Sequence, residues 1–165
     1  MPQIKVLIDN NKDYSITSNG NVISSLNYKH WYSANASIAV KDDDYTIVRK
    51  GFWGSEHEVL RGDGVVFLLK AQWDGGVAII KPGDKEHFYE FKPKGFFVNG
   101  YSLTNYKGEE LLFMTTNFSW KKFISGYDIS CSDNFGNSPL ERLLIAVLVY
   151  HYNIAQTMAL SAAAN

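Results

Sequence analysis

Four histidines, one cysteine and a short Ser-Glu-His run are the residues of this chain whose types could do chemistry. Gly54-Ser55-Glu56-His57-Glu58 places a hydroxyl nucleophile within two positions of a base. Successive strand residues point to opposite faces, however, and such a run cannot close a Ser-His pair by itself. No oxyanion donor or orienting partner can be named for it. The segment therefore reads as a solvated hairpin tip, and catalysis is the least supported class of function. His30, His57, His87 and His151 are scattered, with no HExxH or comparable ligand spacing. Asp42-Asp43-Asp44 is acidic enough to attract a divalent cation, yet three consecutive carboxylates usually mark a solvated turn. Cys131 is the sole cysteine, which excludes an internal disulfide and a thiolate cluster. No glycine-rich phosphate loop is present, and no metal or cofactor is expected.

The basic residues offer a different chemistry, attraction of anions. Lys81, Lys85, Lys92, Lys94, Lys107, Lys121 and Lys122 fall among Phe88, Phe91, Phe96, Phe97, Trp120 and Phe123. Converging lysines with an aromatic rim would suit anionic lipid headgroups, and Lys92, Lys94, Lys121 and Lys122 are the candidate contacts. The competing reading is structural: outward lysines on strands whose aromatics face the core, with Glu86, Glu90, Glu109 and Glu110 offsetting them. A net charge of -1 gives no global field, so nucleic acid is not an expected partner.

The elements that must carry these residues are mostly strands. Aromatic content is 15%, with ten Tyr and ten Phe, which favours sheet over helix bundle. From Ile4 to Ser130 turn signals recur at Asn10-Asn11, Asn19-Gly20, Gly62-Asp63-Gly64, Asp74-Gly75-Gly76, Pro82-Gly83-Asp84, Asn99-Gly100 and Lys107-Gly108. Between them lie runs such as YTIVRK, VVFLLKA and HFYEF. About twelve short strands fit, the signature of a sandwich or barrel. Three pieces rhyme. Tyr14-Ser-Ile16, Gly20, Val22-Ile23 and Trp31 are echoed by Tyr101-Ser-Leu103, Gly108, Leu111 to Phe113 and Trp120, and more loosely by Val59-Leu60, Gly64, Val65 to Leu69 and Trp73.

The end of the chain is different. Ser138-Pro139-Leu140-Glu141 combines a cap, a proline at the first helical position and a capping-box glutamate. No Gly or Pro follows, so a helix is expected over roughly 139–162. It is long enough to span a bilayer, but His151, Asn153, Gln156 and Thr157 would then lie at mid-depth without water. At about 100° per residue its apolar side chains go all the way round. A helix of that kind is buried, and only the strands can bury it. The expected fold is one domain over 1–165, mainly β. It is a closed antiparallel barrel of about 12 strands, roughly 4–132, around a buried C-terminal hydrophobic helix. A tail-anchored membrane protein is the alternative this reading displaces.

This organisation resembles the tubby C-terminal-like superfamily, which includes phospholipid scramblases and LURP-one-related proteins. The most similar pieces are GYSLTNYKGEELLFMTTNFSW, residues 100–120, then YDIS and the terminal LERLLIAVLV. The short length is most like the LURP-one-related branch. The resemblance implies a non-enzymatic barrel that binds anionic phospholipid headgroups, the alternative being a protein-interaction or scaffold domain without lipid affinity. Asp133-Asn134-Phe135-Gly136-Asn137 lacks the spaced carboxylates of a calcium segment. A single cysteine, and an N-terminal apolar run too short for a signal peptide, point to the cytoplasm, with membrane contact at most peripheral.

Overall fold

The computed structural model describes residues 3–10, 12–30, 34–51, 54–95, 100–119 and 124–163, with side chains except at 116–119, 124–125 and 156–163. Twelve strands and one helix make the domain. The strands are β1 (Gln3–Asn10), β2 (Asp13–Ser18), β3 (Asn21–Tyr28), β4 (Ala36–Val40), β5 (Asp43–Lys50) and β6 (Glu56–Arg61). They continue as β7 (Gly64–Ala71), β8 (Val77–Lys81), β9 (Asp84–Pro93), β10 (Tyr101–Asn105), β11 (Glu110–Ser119) and β12 (Ile124–Cys131), followed by α1 (Pro139–Ala163). Each strand pairs antiparallel with its neighbours in sequence, and β1 pairs with β12, as in Ile4 with Ile129, to close the barrel. Closure removes both sheet edges, so no backbone ladder is left for another chain.

Alternation along each strand decides what faces inward. Ile4 and Val6 of β1, Tyr45 and Ile47 of β5, Tyr89 and Phe91 of β9, and Tyr127 and Ile129 of β12 are all buried. Their intervening neighbours face out. Into the space they enclose runs α1, whose residues from Leu143 to Tyr150 are each 0–1% exposed. Eight successive helical residues cover more than two turns, so the helix is surrounded on every side. The strands enclose the segment that an anchor would present to lipid. Among the described residues, no helix is long and apolar enough to cross a membrane.

The strand–turn–strand rhyme of the sequence is a repeat in space. Its copies are the hairpins β2–β3, β6–β7 and β10–β11, spaced four strands apart around the barrel. Each hairpin shifts register at the same point, immediately after a fully buried inward residue: Ile16, Val59 or Leu103. A bulge there adds local twist and turns the strand around the barrel wall. In the first copy Asn19 and Gly20 have φ of 50° and 82°, as a tight primed turn requires. Of the tryptophans that end the copies, Trp73 stands in the β7–β8 turn, while Trp31 and Trp120 lie outside the described residues.

The antiparallel order defines two ends. Helix α1 enters where β12 finishes, beside the β2–β3, β6–β7 and β10–β11 turns, and travels toward the end holding the β3–β4, β5–β6, β7–β8 and β9–β10 connections. Its start is fixed by the predicted capping box. Ser138 Oγ accepts the Glu141 N–H at 3.2 Å, and Glu141 Oε2 accepts the N–H groups of Gly136, Asn137 and Ser138 at 2.9–3.0 Å. Phe135, just upstream, is itself buried.

If the axial helix holds the barrel together, truncating it should cost far more than truncating the wall's outer face. Leu148→Ala is expected to lower unfolding stability in urea by about 2–5 kcal/mol. Leu7→Ala, at a position 51% exposed, should change it by no more than about 0.5 kcal/mol. Equal effects would contradict an axial role for α1.

Candidate functional site

The end from which α1 emerges differs in chemistry from the rest of the interior. Deeper in the barrel the inward residues are mostly aliphatic, with Tyr45, Phe67 and Tyr89 among them, whereas here they are Tyr14, Tyr28, His57, Phe91, Tyr101 and Tyr127, packed around Tyr150, His151, Tyr152 and Asn153 of the helix. Tyr28 stacks on Tyr150 with ring centroids 5.9 Å apart, and Tyr14 meets Tyr28 edge-on at 5.8 Å. Across the opening Tyr152 stands edge-on to Tyr101 at 5.3 Å and to Tyr127 at 4.9 Å. Such pairs combine large apolar area with a polar tip, which suits a level where the core meets water.

This collar resolves the problem posed by the polar residues of the helix. Asn153 accepts a hydrogen bond from the Tyr127 hydroxyl at 2.5 Å and donates one to the Tyr28 hydroxyl at 3.2 Å. The Tyr150 hydroxyl donates to the backbone carbonyl of Ala34. His151 Nε2 lies 3.5 Å from the Gly75 carbonyl, which can only accept, so Nε2 carries the proton. Burial pushes the hydroxyl pKa values of Tyr28, Tyr127 and Tyr150 well above the usual tyrosine range, so these groups stay neutral donors and acceptors.

The sequence-predicted residues distribute unevenly. His57 does not sit at a solvated hairpin tip, contrary to the expectation for that run. It is on β6 with its ring turned inward, edge-on to Tyr150 at 5.7 Å, while Glu56 and Glu58 take the opposite face. Strand alternation had separated His57 from its acidic neighbours; the helix it would pack on lies almost a hundred residues further along the chain. His57 comes close enough to His151 for its charge to act on that ring, although their spacing gave no sign of it. His87 belongs to a separate pair, with Nδ1 2.7 Å from Asp84 Oδ2. Asp43 pairs with Arg61 across the β5–β6 hairpin. Cys131 faces the core, where burial raises its thiol to about 11 and keeps it protonated at neutral pH. No group of three or more potential metal ligands occurs among the described residues.

Of the candidate lysines, Lys92 and Lys94 stand on the outer wall toward the helix-exit end. Lys92 projects from β9 opposite the inward Phe91, its stem passing over Gly76, where a Cβ would meet Lys92 Cγ at 2.8 Å. Its ammonium is 3.1 Å from Glu90 and 3.9 Å from Asp74. Lys94 pairs with Glu110 at 2.7 Å and lies 4.9 Å over the Phe113 ring. Lys121 and Lys122 fall outside the described residues, between β11 and β12, whose flanking ends are at the same end of the barrel. Beside Lys92, in the turn that holds Asp74, Trp73 is 99% exposed and rests on nothing.

Two residues missed by sequence reasoning complete the site. Arg49 is the direct cross-strand partner of His57 on the inward side, and Gly54 receives its guanidinium so closely that an added Cβ would lie 2.2 Å from Nε and Nη2. Only the strand register reveals the first contact, and only the left-handed turn at Gly54, with φ of 64°, permits the second.

Neither a protein-family model nor a curated protein matches the chain. A solved crystal structure of a protein from Arabidopsis thaliana is similar over 96% of this chain and 91% of its own length, with a TM-score of 0.59 and 12% identity. That likeness concerns the fold.

Burial of His151 sets a pH dependence. Desolvation lowers its pKa from 6.5 to about 4, ahead of the opposing hydrogen bond to Gly75. The unfolded chain therefore binds this proton between those values and the folded chain does not. The associated stability is complete above about pH 6.5, is lost as pH falls toward 4, and amounts to about 3 kcal/mol. The wild type should lose stability across that window in urea titrations, and His151→Gln should flatten the loss. A parallel loss in both proteins would refute this assignment.

Proposed function

We propose that this chain is a non-enzymatic, tubby-like or LURP-one-like barrel that meets anionic phospholipid at the end from which its helix emerges. The observation that carries the reading is Trp73. A tryptophan 99% exposed contributes nothing to the core, yet it stands in the turn whose Asp74 meets Lys92, at the helix-exit end of the barrel. Tryptophan with basic neighbours is the pairing favoured at a membrane interface, the ring entering the headgroup layer and the ammonium groups meeting phosphate. The lysines' present partners do not prevent this, because exposed ion pairs are worth about 1 kcal/mol or less and exchange readily for phosphate. Axial burial of α1 supports peripheral contact through the wall and its connections in place of insertion of the helix.

A protein-interaction surface is the second reading, favoured by the same Trp73, since exposed tryptophans also anchor protein interfaces. Co-sedimentation with neutral and with phosphoinositide-containing vesicles separates the two. Anionic vesicles alone should bind, and binding should weaken as salt rises toward about 0.5 M, where the screening length falls below about 5 Å. Burying about 60 Å² of the indole at about 25 cal/mol per Å² is worth about 1.5 kcal/mol. Trp73→Ala should therefore weaken vesicle binding about tenfold. No binding, or equal binding to neutral vesicles, sinks the lipid reading and leaves Trp73 to a protein partner.

A further inference from the structure

Several cations on the outer wall of this barrel lie against carboxylates: Lys50 against Glu58 at 2.6 Å, Lys94 against Glu110, Lys92 against Glu90 and Asp74, Lys81 against Asp84, and Arg61 against Asp43. The inward side of the helix-exit end is arranged differently. There, among the described residues, Arg49 has no carboxylate partner, and its charge acts on the His57 imidazole and the Tyr150 hydroxyl. Among the described residues, no Asp or Glu stands on the inward face of the strand ends around it, since Asp13, Glu56 and Glu58 all face outward. A guanidinium can be left unpaired because water reaches it, and this one lies against Gly54, where an added Cβ would meet Nε and Nη2 at 2.2 Å. An unpaired guanidinium directly across the ladder from an imidazole is the geometry of an anion receptor.

We propose that Arg49 and His57 form a binding site for a phosphate-type oxyanion at the helix-exit end of the barrel. Arg49 supplies the planar fork, which matches two oxygens of a tetrahedral anion. His57 stands directly across the ladder and adds a second donor and, when protonated, a second positive charge, the complement of a dianion. The Tyr150 ring, edge-on to His57 at 5.7 Å and stacked on Tyr28, forms the apolar floor. The site is inside the rim, separate from the outer Lys92–Lys94 ledge, and does not depend on the lipid reading.

The surroundings of His57 set how the site responds to pH. Facing it are Arg49 from β5, Leu69 as its cross-strand partner on β7, and Tyr150 and His151 from α1. In the free protein burial, then the Arg49 charge, holds His57 below the usual histidine range. A bound dianion reverses the second effect and draws a proton onto the ring. Binding should therefore tighten as pH falls from about 7 toward the free ring's depressed value.

Inorganic phosphate is the probe, compared with chloride at matched ionic strength in the full chain. Titration of the His57 ring protons by NMR should show its pKa move upward in phosphate. Arg49→Gln should abolish that movement, Arg49→Lys should weaken phosphate about tenfold by losing the fork, and Gly54→Ala should weaken it by displacing the guanidinium with the charge retained. If phosphate leaves His57 unmoved in the wild type, or moves it equally in Arg49→Gln, there is no such site; should Arg49→Gln fail to fold, Arg49→Lys decides. Phosphoinositide vesicles identify the source of the anion. Loss of vesicle binding in Arg49→Gln assigns the site to a lipid headgroup, and its retention, with the phosphate effect abolished, assigns it to a soluble phosphate. Trp73→Ala should leave the phosphate response intact, so failure of the lipid reading and failure of this site are distinguishable.

Discussion

One constraint organises the molecule: residues 143–150 form a helix that is apolar on every side and must be taken out of water completely. A single sheet face can cover only one side of such a helix, and two stacked faces leave its flanks exposed. A sheet closed on itself solves the problem, and twelve strands make a lumen wide enough for a helix instead of for side chains alone. Closure and burial are thus one event. Strands β1 and β12 pair around the helix, and the helix is fully out of water only when the first and last strands meet.

The same constraint sets the contrast between the two ends. Where the helix enters, its free N–H groups are met locally by Ser138 and Glu141, a solution written into four consecutive residues. Where it leaves, Asn153, Tyr150 and His151 find partners in the walls, at Tyr28, Tyr127, Ala34 and Gly75. Those partners come from four different stretches of chain, which makes the exit end a convergence of distant residues. The chemistry of the interior is concentrated there for a physical reason, because that is where polar groups on a buried helix must be satisfied.

This division also explains what could be read from sequence. Strand number, barrel closure, the helix and its capping box follow from local signals: alternation, turn residues, and apolarity that leaves no polar face. The three-fold repeat was visible as a rhyme because each copy needs the same inward residue before the same bulge and turn. The collar was not legible. His57 looked like part of a surface turn because its neighbours Ser55, Glu56 and Glu58 are polar, and nothing nearby in sequence announces Tyr150. Arg49 was passed over because its partner is defined by strand register and its position by a glycine five residues away.

Charge placement follows from the same geometry. Outward residues on adjacent strands sit side by side in open water, where lysines and carboxylates pair at little cost and with little consequence, as at Lys50 and Glu58. A carboxylate turned inward at the rim would instead have to be desolvated against the tyrosine ring edges, and without a matched partner that is expensive. An inward arginine tolerates the position better, since its long stem lets the guanidinium reach the water at the rim while its methylenes cover apolar surface. The inner rim is therefore biased toward unpaired positive charge by the physics of closing a barrel around a helix. What distinguishes Arg49 from a cation merely tolerated there is that the β5–β6 register sets it directly across from a histidine whose neutrality its own charge helps to maintain, with Gly54 leaving room for the guanidinium beside it.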